Sequence, residues 1–137
     1  MFERDYILRI IQQFSRMVAY IIGLKEKGQY DEALKEIKEV YGNTLKLEYD
    51  EVIGYDDDGW DQFFKTHAVH EWEMVADLLK LEGEILLETK KIEGTCYRLY
   101  KSLDLLHHVE VTDKTYSLDR MQKIAAIEDI LSGMNDQ

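Results

Sequence analysis

Gly28-Gln29-Tyr30-Asp31-Glu32-Ala33-Leu34 is the stretch that decides the fold class. Upstream of it, Ile7, Ile10, Phe14, Met17, Ile21 and Leu24 recur at intervals of three and four. That spacing is one face of a helix, from about Arg4 to Lys27. Downstream, Ala33, Leu34, Ile37, Val40 and Tyr41 repeat the pattern to about Leu47. Between them Gly28 suits the left-handed residue that ends a helix. Asp31 and Glu32 fall in the first turn of the next helix, where its dipole favours anions. Ala33 is small enough to face back across the turn. The reading is two helices joined by a tight turn, and the chain shows no sustained period-two alternation that would make strands. Ile11, Val18 and Ile22 widen the first apolar stripe, and a stripe this wide packs against more than one neighbour. A coiled-coil seam is the narrower reading, over fewer than four heptads.

From Leu47 to Phe64 there is no Lys or Arg; aspartates and glutamates alternate with Tyr49, Tyr55, Trp60, Phe63 and Phe64. A loop is expected through Asp58, then a short helix from about Gly59. Two readings stay open. Asp58 caps that helix while the aromatics roof the core, or Asp56, Asp57, Asp58 and Trp60 form an acidic docking loop for a basic partner. Further helices are expected over about 68–89, with Val69, Trp72, Val75, Ala76, Leu79, Glu82 or Gly83, and Leu86 inward. Another spans about 91–109, with Ile92, Cys96, Leu99, Tyr100, Leu103 and Leu106 inward. In the last, over 117–132, Ser117 is the N-cap, Leu118, Met121, Ile124, Ala125, Ile127 and Leu131 face inward, and Gly133 ends it. The expectation is one all-α domain over 1–137, with helical hairpins at 4–47 and 68–109, the acidic aromatic segment at 48–66, and about five to six helices.

The composition excludes much. The chain has 137 residues, 45% of them hydrophobic, no proline and a net charge of −11. Such a surface repels a nucleic-acid backbone and anionic lipid alike, so neither nucleic acid nor membrane is an expected partner. One cysteine cannot form an internal disulfide. Met1-Phe2-Glu3-Arg4-Asp5 puts acids where a signal peptide carries bases, and no apolar run approaches a bilayer-spanning length. The cytoplasm is the expected location. The histidines come as His67/His70 and His107/His108. Zinc needs three or four convergent ligands, and only Asp104-x-x-His107 approaches the helical carboxylate–histidine motif of di-iron bundles. In calcium-loop register Asp56-Asp57-Asp58-Gly59 places Gly54 and Lys65 at ligand positions, and neither suits. Cys96 falls on a stripe expected to be buried. With no phosphate loop, nucleophile motif or dinucleotide fingerprint, no catalytic residue, metal or cofactor is expected, and the chain is not read as an enzyme.

The two hairpins superpose at an offset of 62 positions: Ala33 on Thr95, Met17 on Leu79, Leu24 on Leu86, Tyr30 on Ile92, Ile37 on Leu99 and Val40 on Ser102. Both halves resemble the tetratricopeptide repeat. Gly28, Tyr30 and Ala33 stand at its turn glycine, turn aromatic and small packing residue; Gly83, Leu86, Thr95, Leu99 and Ser102 stand at its small and apolar positions in the second half. Ile21 replaces its first-helix glycine, Lys90 replaces the second turn glycine, and there is no closing proline. The chain as a whole is also similar to an uncharacterised bacterial family of small helical proteins, on its start Met1-Phe2-Glu3-Arg4-Asp5-Tyr6-Ile7-Leu8-Arg9, the Gly28–Ala33 turn and a last helix like Ser117–Leu131. That resemblance implies the fold and carries no activity.

The tetratricopeptide resemblance implies that the first helix of each pair lines a concave face. This places Ser15, Val18, Ile22, Lys25 and Glu26 in the first half, and Asp77, Lys80, Glu84, Leu87 and Glu88 in the second. Lys80 stands almost alone among acids there, so an apolar or basic peptide suits the face better than an acidic one. The expected function is a protein-interaction scaffold. The alternatives are a homo-oligomer that buries this face, Val18 and Ile22 as plain core, or a small-ligand binder built on His67, His70, His107, Asp104 and nearby tyrosines.

Overall fold

The structure is a computed structural model that describes residues 2–135; Met1, at the head of the family-like start, lies outside the described residues. Every regular element described is a helix. The chain divides into two compact units, 1–66 and 67–137. The division falls at the boundary read between the acidic aromatic segment and the second hairpin.

The first unit holds α1 (Phe2–Glu26), α2 (Tyr30–Asn43), α3 (Tyr49–Ile53) and α4 (Asp57–Thr66). Gly28 has φ +75°, its N–H donates to the Lys25 carbonyl at 3.0 Å, and Gln29 N–H donates to the Leu24 carbonyl at 2.9 Å. These two bonds are a Schellman cap, which satisfies carbonyls that a bare helix end leaves open. Phe14, Ile21 and Leu24 of α1 are buried, as are Ala33, Ile37, Val40 and Tyr41 of α2. α2 ends at Asn43 rather than near Leu47, because the chain turns over at Lys46, whose φ is +58°. The expected loop contains a helix that was not foreseen, α3, whose single buried residue is Val52. Five residues are too few for an apolar period to show.

The second unit holds α5 (Val69–Glu88), α6 (Ile92–Thr112) and α7 (Leu118–Asn135). α5 is buried on most of its circumference, beyond the one side read from the sequence, and leaves Glu73, Asp77, Lys80 and Glu84 on one half-exposed strip. Its end repeats the cap of α1. Lys90 has φ +65°, its N–H donates to the Leu87 carbonyl at 3.0 Å, and Lys91 N–H donates to the Leu86 carbonyl at 2.8 Å. Each of these residues lies 62 positions beyond its counterpart, so the offset read from side chains is also the offset of the backbone turn. Thr95 and Ala33, both fully buried, follow it.

The buried face of α6 differs from the expected one. Ile92 and Tyr100 are exposed and Cys96 and Leu103 are intermediate, whereas Thr95, Leu99, Ser102, Leu105, Leu106 and Val109 are buried. Thr95 and Ser102 are polar, so hydropathy alone rotates the stripe by about one position. Their hydroxyls bond to helix carbonyls, Thr95 to Lys91 O at 3.1 Å and Ser102 across to Ala76 O of α5 at 2.7 Å. Small side chains let α5 and α6 close up. A Cβ added to Gly83 would lie 2.8 Å from Leu99 Cδ2. Ser117 Oγ caps α7 by accepting from Arg120 N–H at 3.2 Å, as expected. α7 runs on to Asn135 through Gly133, and it buries Arg120, Ile127 and Leu131 while Leu118, Met121 and Ala125 stay exposed.

Candidate interaction site

The positions expected to line a binding face meet different fates in the two units. On α5, Asp77 is held by α7: Lys123 Nζ lies 2.9 Å from Asp77 Oδ1, 3.3 Å from Glu73 Oε2 and 3.1 Å from Asp119 Oδ2. One turn away Arg120, 4% exposed, reaches Glu73 at 3.7 Å, Glu110 at 3.6 Å and Asp113 at 3.8 Å, and donates to the Thr115 carbonyl at 2.9 Å. Arg120 and Lys123 follow the order of Glu73 and Asp77, so α7 runs in the same direction as α5. Burial pushes the Asp77 carboxyl up to about 6, against the pull of Lys123, with Glu73 and Asp119 adding to the rise. Burial works to lower the Lys123 ammonium, but Asp77 and the carboxylates of Glu73 and Asp119 hold it above its ordinary range. Asp77 is thus a docking residue for the chain's own last helix. Lys80 and Glu84 pair with each other at 3.3 Å, and Leu87 is half-buried while Glu88 is exposed.

On α1 the same face is open. Leu8, Ile11, Ser15, Val18, Ile22 and Lys25 form a line with three- and four-residue spacing, one position round from the line of Ile7, Ile10, Phe14, Met17, Ile21 and Leu24, in which Phe14, Ile21 and Leu24 are buried and Ile7, Ile10 and Met17 are intermediate. Leu8 is 48% exposed, Ile22 38% and Ile11 36%; Ser15 is exposed and Val18 and Lys25 are intermediate. Ile11 and Ser15 are the register counterparts of Glu73 and Asp77. Where α5 holds α7 through two carboxylates, α1 thus carries an exposed isoleucine and an exposed serine. α1 also corrects the expectation about bilayer length. It is long and apolar enough to cross a membrane by length and composition, with only 17% of the apolar window buried. Arg9 and Arg16 are the charges that interrupt its apolar run.

The acidic segment is built as a roof. Asp56, not Asp58, caps α4, its Oδ1 accepting from Gly59 N–H at 2.8 Å; Asp57 and Asp58 lie in the first turn and are exposed. Trp60 is 4% exposed, edge-on to Tyr55 at 5.1 Å and to Phe63 at 5.6 Å. A buried indole offers nothing to a docking partner, so Trp60 is corrected to a core anchor. Burial, and then Glu51, hold the Tyr55 phenol above its usual range.

Among the described residues no group of three or more His, Cys, Asp and Glu side chains is placed to hold a metal ion. His67 uses its backbone carbonyl to accept from Trp72 Nε1 at 3.0 Å, and His108 Nδ1 lies 2.9 Å from the Asp104 carbonyl. A feature missed in the sequence is the ion pair of Glu82 with Arg98, 2.6 Å apart and almost fully buried between α5 and α6. The inward position of Glu82 was legible; a partner sixteen residues on was not.

No family model matches this chain, and neither a curated protein nor a solved structure does.

Proposed function

We propose that this chain is a non-enzymatic protein–protein interaction module, and that its docking surface is the outer face of α1. The observation that carries the reading is the pair Ile11 and Ile22, each more than a third exposed on the face whose counterpart on α5 takes a helix. A partner presenting an apolar helical edge suits that face, in the manner of helix-to-groove recognition. Kinship with tetratricopeptide-like hairpins belongs to the same proposal. Its support is the pair of matching caps 62 residues apart, and α7 running alongside α5 as the first helix of a following repeat would. Contact through Asp77, Lys80, Glu84, Leu87 and Glu88 is the weaker version, since Lys123 already neutralises Asp77 and Lys80 is paired to Glu84. A lone half-buried cysteine suits a reducing cytoplasm.

The test is capture from a cell lysate on three immobilised proteins: the native chain, Ile11→Glu with Ile22→Glu, and Glu84→Lys with Glu88→Lys. Proteins held by the first and third and lost from the second support the reading. Loss from the third with retention by the second would return the binding face to α5.

A further inference from the structure

We propose that the front of α7, residues 117–125, is a pH-sensitive latch. It lies closed on α5 in mild acid and opens more readily as the pH rises to neutrality, while the back half of the helix stays anchored.

The two halves of α7 are held by different forces. The back half is held by burial of Ile127 and Leu131. The front half leaves Leu118 and Met121 exposed, and Arg120 is its one buried residue. What closes the front is a cluster with more anions than cations. Lys123 Nζ meets Asp77, Glu73 and Asp119 within 3.3 Å, and Arg120 meets Glu73, Glu110 and Asp113 at 3.6–3.8 Å. Five carboxylates thus share two cations.

Arg120 is loosely satisfied for a buried cation. All three of its carboxylates stand beyond hydrogen-bond distance. Its Nε has no hydrogen-bond partner among the described residues, and its guanidinium donates once, to the Thr115 carbonyl at 2.9 Å. Such a desolvated charge subtracts from the docked state. Local opening is drawn from segments held in this way. Once open, nine residues are too few to keep a helix on their own.

Asp77 is the group through which protons act. On its own helix its charged neighbours are Glu73 and Lys80, the latter paired with Glu84. From α7 it faces Lys123 and Asp119, while α6 and the connection after it send Glu110 and Asp113 to Arg120. Burial pushes the Asp77 carboxyl up to about 6, and Glu73 and Asp119 add to the rise against the pull of Lys123. Lys123 is held above its ordinary range and stays charged throughout. With the latch open, the carboxyl meets water and returns towards its ordinary 3.8. The closed form therefore binds the proton more tightly, and ionisation of Asp77 favours the open form. The gain in closure is present at pH 5 and nearly gone at pH 7.

The experiment is amide hydrogen exchange of the full chain, read by NMR from pH 5 to pH 7 and corrected for the intrinsic pH dependence of exchange. Protection at residues 121–125 should fall by about tenfold over that range. Leu131 in the back of α7, and Leu79 and Leu99 in α5 and α6, should keep theirs. Asp77→Asn should carry the pH 5 protection up to pH 7. Lys123→Gln leaves three carboxylates without their shared ammonium, and should lower protection at 121–125 by about tenfold further at pH 7, with Leu79 and Leu99 unchanged. Four results each overturn the latch: protection at 121–125 that is flat with pH, that falls equally in Asp77→Asn, that ignores Lys123→Gln, or that falls in step with Leu79 and Leu99. The last would make α7 part of one cooperative unit with α5 and α6.

Discussion

Asp77 shares the Lys123 ammonium with Glu73 and Asp119, and that crowding gives it a measurable pH signature. Its carboxyl sits at about 6 in the folded chain against 3.8 when free. A raised carboxyl binds its proton more tightly folded than unfolded. Its contribution to stability is therefore present below about pH 4, falls as pH rises towards 6, and is flat above. The shift corresponds to about 1–3 kcal/mol. Asp77→Asn should remove this slope, so that the variant gains on the native chain between pH 4 and pH 7; denaturant unfolding across that range reads the difference, and parallel curves would contradict it. Gly83 is the other residue where one atom matters. Gly83→Ala forces a methyl against fully buried Leu99 and should cost about 1–3 kcal/mol. These details were not legible in the sequence. Asp77 reads as one surface acid among 28, and its meaning depends on Lys123, forty-six residues away.

At the scale of elements, the twin caps give the repeat a direct energetic test. Gly28 occupies the left-handed region without strain, and Lys90 occupies it with a Cβ. Gly28→Ala should destabilise the first unit by about 1 kcal/mol, and Lys90→Gly should stabilise the second by up to about 1 kcal/mol. Thermal unfolding of the two variants checks both signs. The turn of residues 28–33 and the long periodic helices were legible because a glycine between apolar 3.6-residue periods leaves few other structures. Three features were not. α3 is too short to carry a period. The cap of α4 moved from Asp58 to Asp56 because three consecutive aspartates offer three equivalent caps. The buried face of α6 was set a position off because Thr95 and Ser102, which a hydropathy pattern assigns to water, spend their hydroxyls on carbonyls and gain close packing.

At the scale of the molecule, the same hairpin is completed in one unit and left open in the other. α7 closes the second unit over Glu73 and Asp77; the equivalent face of α1 carries Ile11 and Ser15 and meets solvent. Ser15, Val18, Ile22 and Lys25 share one face of α1, since helical spacing fixes that. The sequence could not say that Asp77 would be taken by the chain's own last helix, because a stripe of apolar residues reads alike whether it is core or contact surface. Ile21 and Ile22 separate those two cases within a single peptide bond: Ile21 is fully buried and Ile22 is 38% exposed. The deciding measurement is the unfolding free energy of Ile21→Ala and Ile22→Ala at protein concentrations dilute enough to exclude association. The account predicts a loss of about 2–5 kcal/mol for Ile21→Ala, as for a core isoleucine, and less than about 1 kcal/mol for Ile22→Ala. Equal, large losses at both positions would show that the outer face of α1 is core, and would contradict its role as a docking surface.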